Sequence, residues 1–113
     1  MSARISEIPL KDKPLSERWR LIAEEWVEAD KAANLLEETK SAFLSQKMLA
    51  LGDMPVSRAE MIVKGSIEWT EFIDSMCNAR KDANLLRVRR DFLEMRFRER
   101  QNADANARKE RGL

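Results

Sequence analysis

The chain has 113 residues, the length of one domain, with 43% hydrophobic residues, 36% charged residues and a net charge of +1. With 3 Gly and 3 Pro it is too poor in turn residues for a β sandwich or a glycine-rich phosphate loop, and with no His and 1 Cys it excludes zinc fingers, disulfide frameworks and histidine-dependent catalysis. The near-zero charge selects no partner class, and the composition points to long amphipathic helices in a reducing compartment.

Residues 1–14 read as an extended arm, because Pro9 and Pro14 push the residues before them toward extended geometry. Ile5, Ile8 and Leu10 are suited to lie in a groove on the body. The first ten residues are mixed in charge and broken by Pro9, so no signal-peptide core is expected there. No run approaches the ~18 apolar residues of a membrane span, and a cytoplasmic location without membrane contact is the expectation. Ser16 is the expected N-cap of a first helix, with Glu17 in its first turn. No Gly or Pro then interrupts the chain as far as Ala50. Apolar positions step by three and four through Trp19, Ile22, Trp26, Ala29, Ala33 and Leu36, then Lys40 and Phe43, a heptad seam with one charged interruption.

A turn is expected near 51–56. Gly52 suits the position just past a helix end, and Pro55 blocks continuation. Ser57 with Glu60 matches a capping box, and Val56 with Met61 a hydrophobic staple. A second seam runs through Ile62, Gly65, Trp69, Phe72, Met76, Ala79, Ala83, Leu86, Arg90, Leu93 and Phe97. At Gly65-Ser66 either the helix continues, or a short helix ends at Lys64 and Ser66 caps a new one. Arg90, on the seam, either fixes register or lets its stem snorkel. After Phe97 the pattern decays, leaving a helical domain over 15–103 and a frayed tail over 104–113.

The expected fold is all-α: a long antiparallel helical hairpin, coiled-coil-like. Folding about Asp53 sets Ala29 and Ala33 roughly opposite Ala79 and Ala83, a waist of small residues flanked by large ones. The same folding brings Arg80 and Arg87 near Glu24–Glu28. Cys77, without a Cys or His neighbour, reads as a small core residue. Lys31-Ala-Ala-Asn-Leu-Leu36 is echoed by Lys81-Asp-Ala-Asn-Leu-Leu86, read as chance similarity, with duplication the alternative.

A second apolar stripe, Leu85, Val88, Phe92 and Met95, also steps by three and four, off the seam, and Leu35 lies off the seam of the first helix. One hairpin cannot bury two faces, so these five residues are the expected oligomer interface of a dimeric four-helix bundle. Cover by the arm within one chain is the alternative.

Charge is uneven: net −2 over 1–56 and +3 over 57–113, with 8 basic and 4 acidic residues between 80 and 100. Arginine predominates there, which suits bidentate contact with phosphate or carboxylate. Arg89, Arg96 and Arg100 are the candidate contacts to nucleic acid or an acidic partner. The alternative is pairing of the arginines with carboxylates of the first helix, among them Glu24, Glu25, Glu28, Glu37 and Glu38.

Two resemblances attach to these residues. Glu24-Glu25-x-x-Glu28 with Glu71-x-x-Asp74 resembles the carboxylate pairs of the MazG-like all-α nucleotide pyrophosphohydrolases, which implies magnesium held against a triphosphate. It covers five carboxylates only. The spacing between the halves departs from that family, and Trp26 falls within the first group. Residues 78–113, with Asn84-Leu-Leu-Arg-Val-Arg-Arg-Asp-Phe-Leu-Glu-Met-Arg-Phe-Arg-Glu-Arg-Gln101 and Ala103-Asp-Ala-Asn-Ala-Arg108, resemble small helical accessory proteins of temperate phages and prophages. Those are encoded among early, recombination-related genes. That resemblance carries no catalytic motif and implies an accessory protein acting on DNA metabolism or on a host DNA enzyme. Together with the second stripe, the expectation is a non-enzymatic protein that contacts itself and such a partner, with no catalytic residues, cofactor, metal or small-molecule substrate. Direct DNA or RNA binding is the alternative, and the hydrolase the remote one.

Overall fold

The computed structural model describes residues 9–112, so the expectation for Ile5 and Ile8 lies outside the described residues. Within them the chain is all-helical, without a strand: a 3-10 turn at Leu10–Asp12, then α1 (Leu15–Ala50), α2 (Val56–Lys64) and α3 (Ile67–Arg111). No helix among the described residues is long and apolar enough to cross a membrane.

Helix boundaries follow backbone chemistry more than side-chain caps. The segment before α1 is not extended throughout, because the Asp12 and Lys13 N–H groups close turns onto Pro9 and Leu10 at 2.9 and 3.2 Å. The Pro14 carbonyl accepts from the Arg18 N–H at 3.0 Å, so α1 starts at Leu15 and Ser16 lies inside it. α1 ends where Gly52 takes φ +89°, a left-handed value that a side chain disfavours. The expected capping box is absent. The Pro55 carbonyl accepts from Arg58 and Ala59 at 3.1 and 3.0 Å, so α2 begins at Val56 and Ser57 is already within it. Val56 and Met61 are exposed rather than stapled.

At Gly65-Ser66 the broken alternative holds. The Ser66 hydroxyl oxygen accepts from the Trp69 N–H at 3.3 Å, capping α3, and the hydroxyl donates to the Val63 carbonyl at 2.5 Å. α3 then runs to Arg111, past the start of the expected frayed tail. Alanines at 103, 105 and 107 favour helix, and Arg108, Lys109 and Arg111 complement the negative end of its dipole.

The chain forms two compact units. The central unit is Val27–Asn84; the terminal unit joins residues up to Trp26 with those from Leu85. In the central unit Ala33 and Ala83 are fully buried, and one face of α2 is covered at Ala59 and Val63. Phe43 stacks on Phe72 with ring centroids 4.4 Å apart, and Trp69 lies 6.2 Å from Phe43. Arg80 donates to Asp30 and Asn34 at 2.7 and 2.5 Å, and in a fork to Glu37 at 2.8 and 2.9 Å.

These contacts correct the expected register. The pairs Phe43–Phe72 and Glu37–Arg80 are centred inside α2, not on Asp53. The extra helix lengthens the connection, so each α3 residue of this unit meets α1 later in sequence than a tight turn at Asp53 would allow. Arg80 accordingly reaches Asp30 and Glu37 instead of the Glu24–Glu28 region. Cys77 is exposed, not core. It follows the half-buried Met76, and successive helical side chains point ~100° apart.

In the terminal unit Leu93 is buried, and the Arg90 guanidinium lies over the Trp26 ring at 4.5 Å. Arg90 also pairs with Asp91 at 3.0 Å. Its place on the seam is therefore explained by a cation–π contact that keeps its charge beside a carboxylate.

Candidate functional site

Leu85, Val88, Phe92 and Met95 recur at helical spacing on α3 and form one face of the terminal unit. They are 46%, 60%, 52% and 51% exposed. Arg90 occupies a different side of the same helix, against Trp26. Val88 and Phe92 border an apolar cleft of about 600 Å³, whose other walls include Leu10, Leu21 and Ile22. Leu10 is the arm residue found beside this face, and it leaves Val88 and Phe92 half exposed. Leu35, grouped with them on sequence grounds, is exposed on α1 of the central unit.

The expected cationic trio divides. Arg96 and Arg100 line a cleft of about 430 Å³ with Lys11, Lys13 and Arg18 at the start of α1, while Arg89 lines the apolar cleft. Arg96 also lies 5.9 Å from the Phe92 ring. Lys11, Lys13 and Arg18 were not singled out by the sequence. Their signal was the Lys-x-Lys-Pro run ahead of the helix, which has the look of a solvated arm.

Other arginines are engaged by carboxylates. Arg98 pairs with Glu94 at 2.8 Å, one turn apart, and Arg80 is held in the central cluster. Hydrogen bonding from Arg80 holds the Glu37 carboxyl below its ordinary value, and Arg20 does the same to Glu17, with the charge of Lys13 a lesser cause. Arg20 also reaches Glu24 at 2.7 Å. The carboxylates of the hydrolase-like pattern are not assembled, since among the described residues no group of three or more His, Cys, Asp or Glu side chains is placed to hold a metal ion. The geometry thus offers two surfaces, one apolar and one cationic. Set beside known protein families, curated proteins and solved structures, the chain matches none of them.

Proposed function

We propose that this chain is a non-enzymatic, cytoplasmic interaction protein of the phage accessory type, and that it self-associates through the Leu85, Val88, Phe92 and Met95 face of α3. The observation that carries the reading is the exposure of four large apolar side chains in one row, which Leu10 and Arg96 beside it leave about half exposed. Water contact at such a row costs about 25 cal/mol per Å² of apolar area, so a partner that excludes water is favoured.

The occupant is a second copy, because the row is complementary to itself. Its spacing of three, four and three residues reads the same in both directions. An antiparallel two-fold axis at position 90 sets Leu85 against Met95 and Val88 against Phe92. The same register brings Arg89 of each copy beside Asp91 of the other. This is the isologous arrangement of a closed dimer, and it supports a four-helix assembly. Action on a protein of nucleic-acid metabolism follows from the resemblance of residues 78–113 and rests on it alone.

Light scattering at micromolar concentration tests the reading. A dimer is expected for the wild type, and a monomer of unchanged helicity for Val88→Glu with Phe92→Glu, because burying unpaired carboxylates costs more than the contacts return. A monomeric wild type overturns self-association.

A further inference from the structure

The cationic cleft borders the face proposed for self-association, since Arg18 lines both it and the apolar cleft and Arg96 lies 5.9 Å from the Phe92 ring. Five basic side chains line it, Lys11, Lys13, Arg18, Arg96 and Arg100, against one acid, Glu99. None of the five forms a salt bridge among the described residues. Arg80 in the central unit shows the contrast: its guanidinium is shared by two carboxylates and an amide. Keeping like charges together without counter-charges costs folding free energy. The arrangement makes sense if an anion supplies the missing acceptors.

We propose that this cleft binds the phosphates of a nucleic-acid backbone. Three of its five cations are arginines, whose planar fork matches phosphate oxygens in bidentate contact. Pro14 and Leu15, at the positive end of the α1 dipole, complete the wall and reinforce the attraction. They are also its only apolar residues. Protein partners are held chiefly by buried apolar and aromatic anchors, and this cleft offers little for one to grip. A sugar–phosphate chain needs no such anchor, because release of its counterions drives binding.

The test is fluorescence anisotropy of a labelled oligo-dT probe titrated with the full chain at several salt concentrations. Affinity is expected to fall steeply with salt. Replacing Arg96 and Arg100 by Ala should flatten the log–log slope by about 1.4, that is about 0.7 for each phosphate of a single strand that is no longer neutralised. Arg96→Lys with Arg100→Lys should keep most of the slope, while Arg58→Ala with Lys64→Ala, in α2, should leave it unchanged. If the alanine pair loses helicity, Lys11→Ala with Lys13→Ala, ahead of α1, makes the same measurement. Absence of binding at low salt, or a slope indifferent to both cleft pairs, overturns the proposal. Displacement of the probe by poly-glutamate as readily as by unlabelled oligonucleotide would assign the cleft to an acidic protein instead. Equal displacement by inorganic phosphate at the same phosphate concentration would reduce it to a small-anion site.

Discussion

The central and terminal units are made from the same two long helices, yet they use their side chains differently. The central unit pairs its buried groups within itself, although Leu35, Leu49, Val56, Met61 and Ile67 stay exposed. Ala33 and Ala83 are fully buried, its aromatic rings stack on one another, Ala59 and Val63 of α2 are buried, and Arg80 finds acceptors in Asp30, Asn34 and Glu37. The terminal unit buries Leu93 and covers Trp26 with Arg90, but leaves an apolar row half exposed and five basic side chains without a salt bridge among the described residues. A third helical segment makes the difference. Two helices each present a stripe to the other and expose the rest, and only the central unit has α2 to cover more. α2 also exposes apolar residues of its own, Val56, Met61 and Ile62, so both units keep apolar surface, and the terminal unit combines it with a cationic cleft.

The largest effect that bears on this comparison is at Leu93. If the terminal unit has a closed core despite its exposed faces, Leu93→Ala should cost about 2–5 kcal/mol in denaturant unfolding. Leu49→Ala, at an 81% exposed position of the central unit, should stay within about 0.5 kcal/mol. Equal, small effects at the two sites would mean that Leu93 anchors nothing.

Next come the buried alanines of the central unit. Ala33→Leu or Ala83→Leu should destabilise by about 1–3 kcal/mol through overpacking. An unchanged melting temperature would show that α1 and α3 do not approach closely there. Ser66→Ala should cost about 1 kcal/mol by leaving the Trp69 N–H without its cap, and hydrogen exchange should speed up first in the opening turn of α3. Uniform exchange along α3 would argue against a separate helix start.

The smallest effect is one of pH, and each unit carries one instance. Glu37, bonded to Arg80, and Glu17, bonded to Arg20, have carboxyl pKa values below the ordinary 4.5. A group depressed in the folded state stabilises the fold above its unfolded pKa, and that contribution disappears as pH falls through the folded value. The stability difference between wild type and Arg80→Gln should therefore shrink on acidification below about pH 4.5. The same holds for Arg20→Gln. Both pairs are solvent-exposed, so their contribution to stability is small. A difference that stays constant with pH would show that the arginines act by packing alone.

Much of this was legible in the sequence. A first helix uninterrupted to Ala50, three-and-four seams, the stop at Gly52-Pro55, and the off-seam row from Leu85 to Met95 follow from local rules of periodicity and backbone geometry, which operate over a few residues, whereas the break at Gly65-Ser66 was left open by them. The burial of Ala33 and Ala83 was also visible from the seam, while Ala29 and Ala79, expected beside them, are only half buried. Three things needed the tertiary structure. The start of α2 at Val56 depended on which carbonyl accepts the first helical bonds, and Pro55 does so ahead of the better-looking cap at Ser57. The register of the central unit depended on how much chain the connection consumes, so Arg80 met Asp30 and Glu37. The cationic cleft was hidden because its members are some eighty residues apart in sequence, Lys11, Lys13 and Arg18 at one end and Arg96 and Arg100 at the other. Periodicity tells which side of a helix a residue occupies. Only the packing of distant segments decides which charges become neighbours, because Coulomb interactions depend on distance in space and not along the chain.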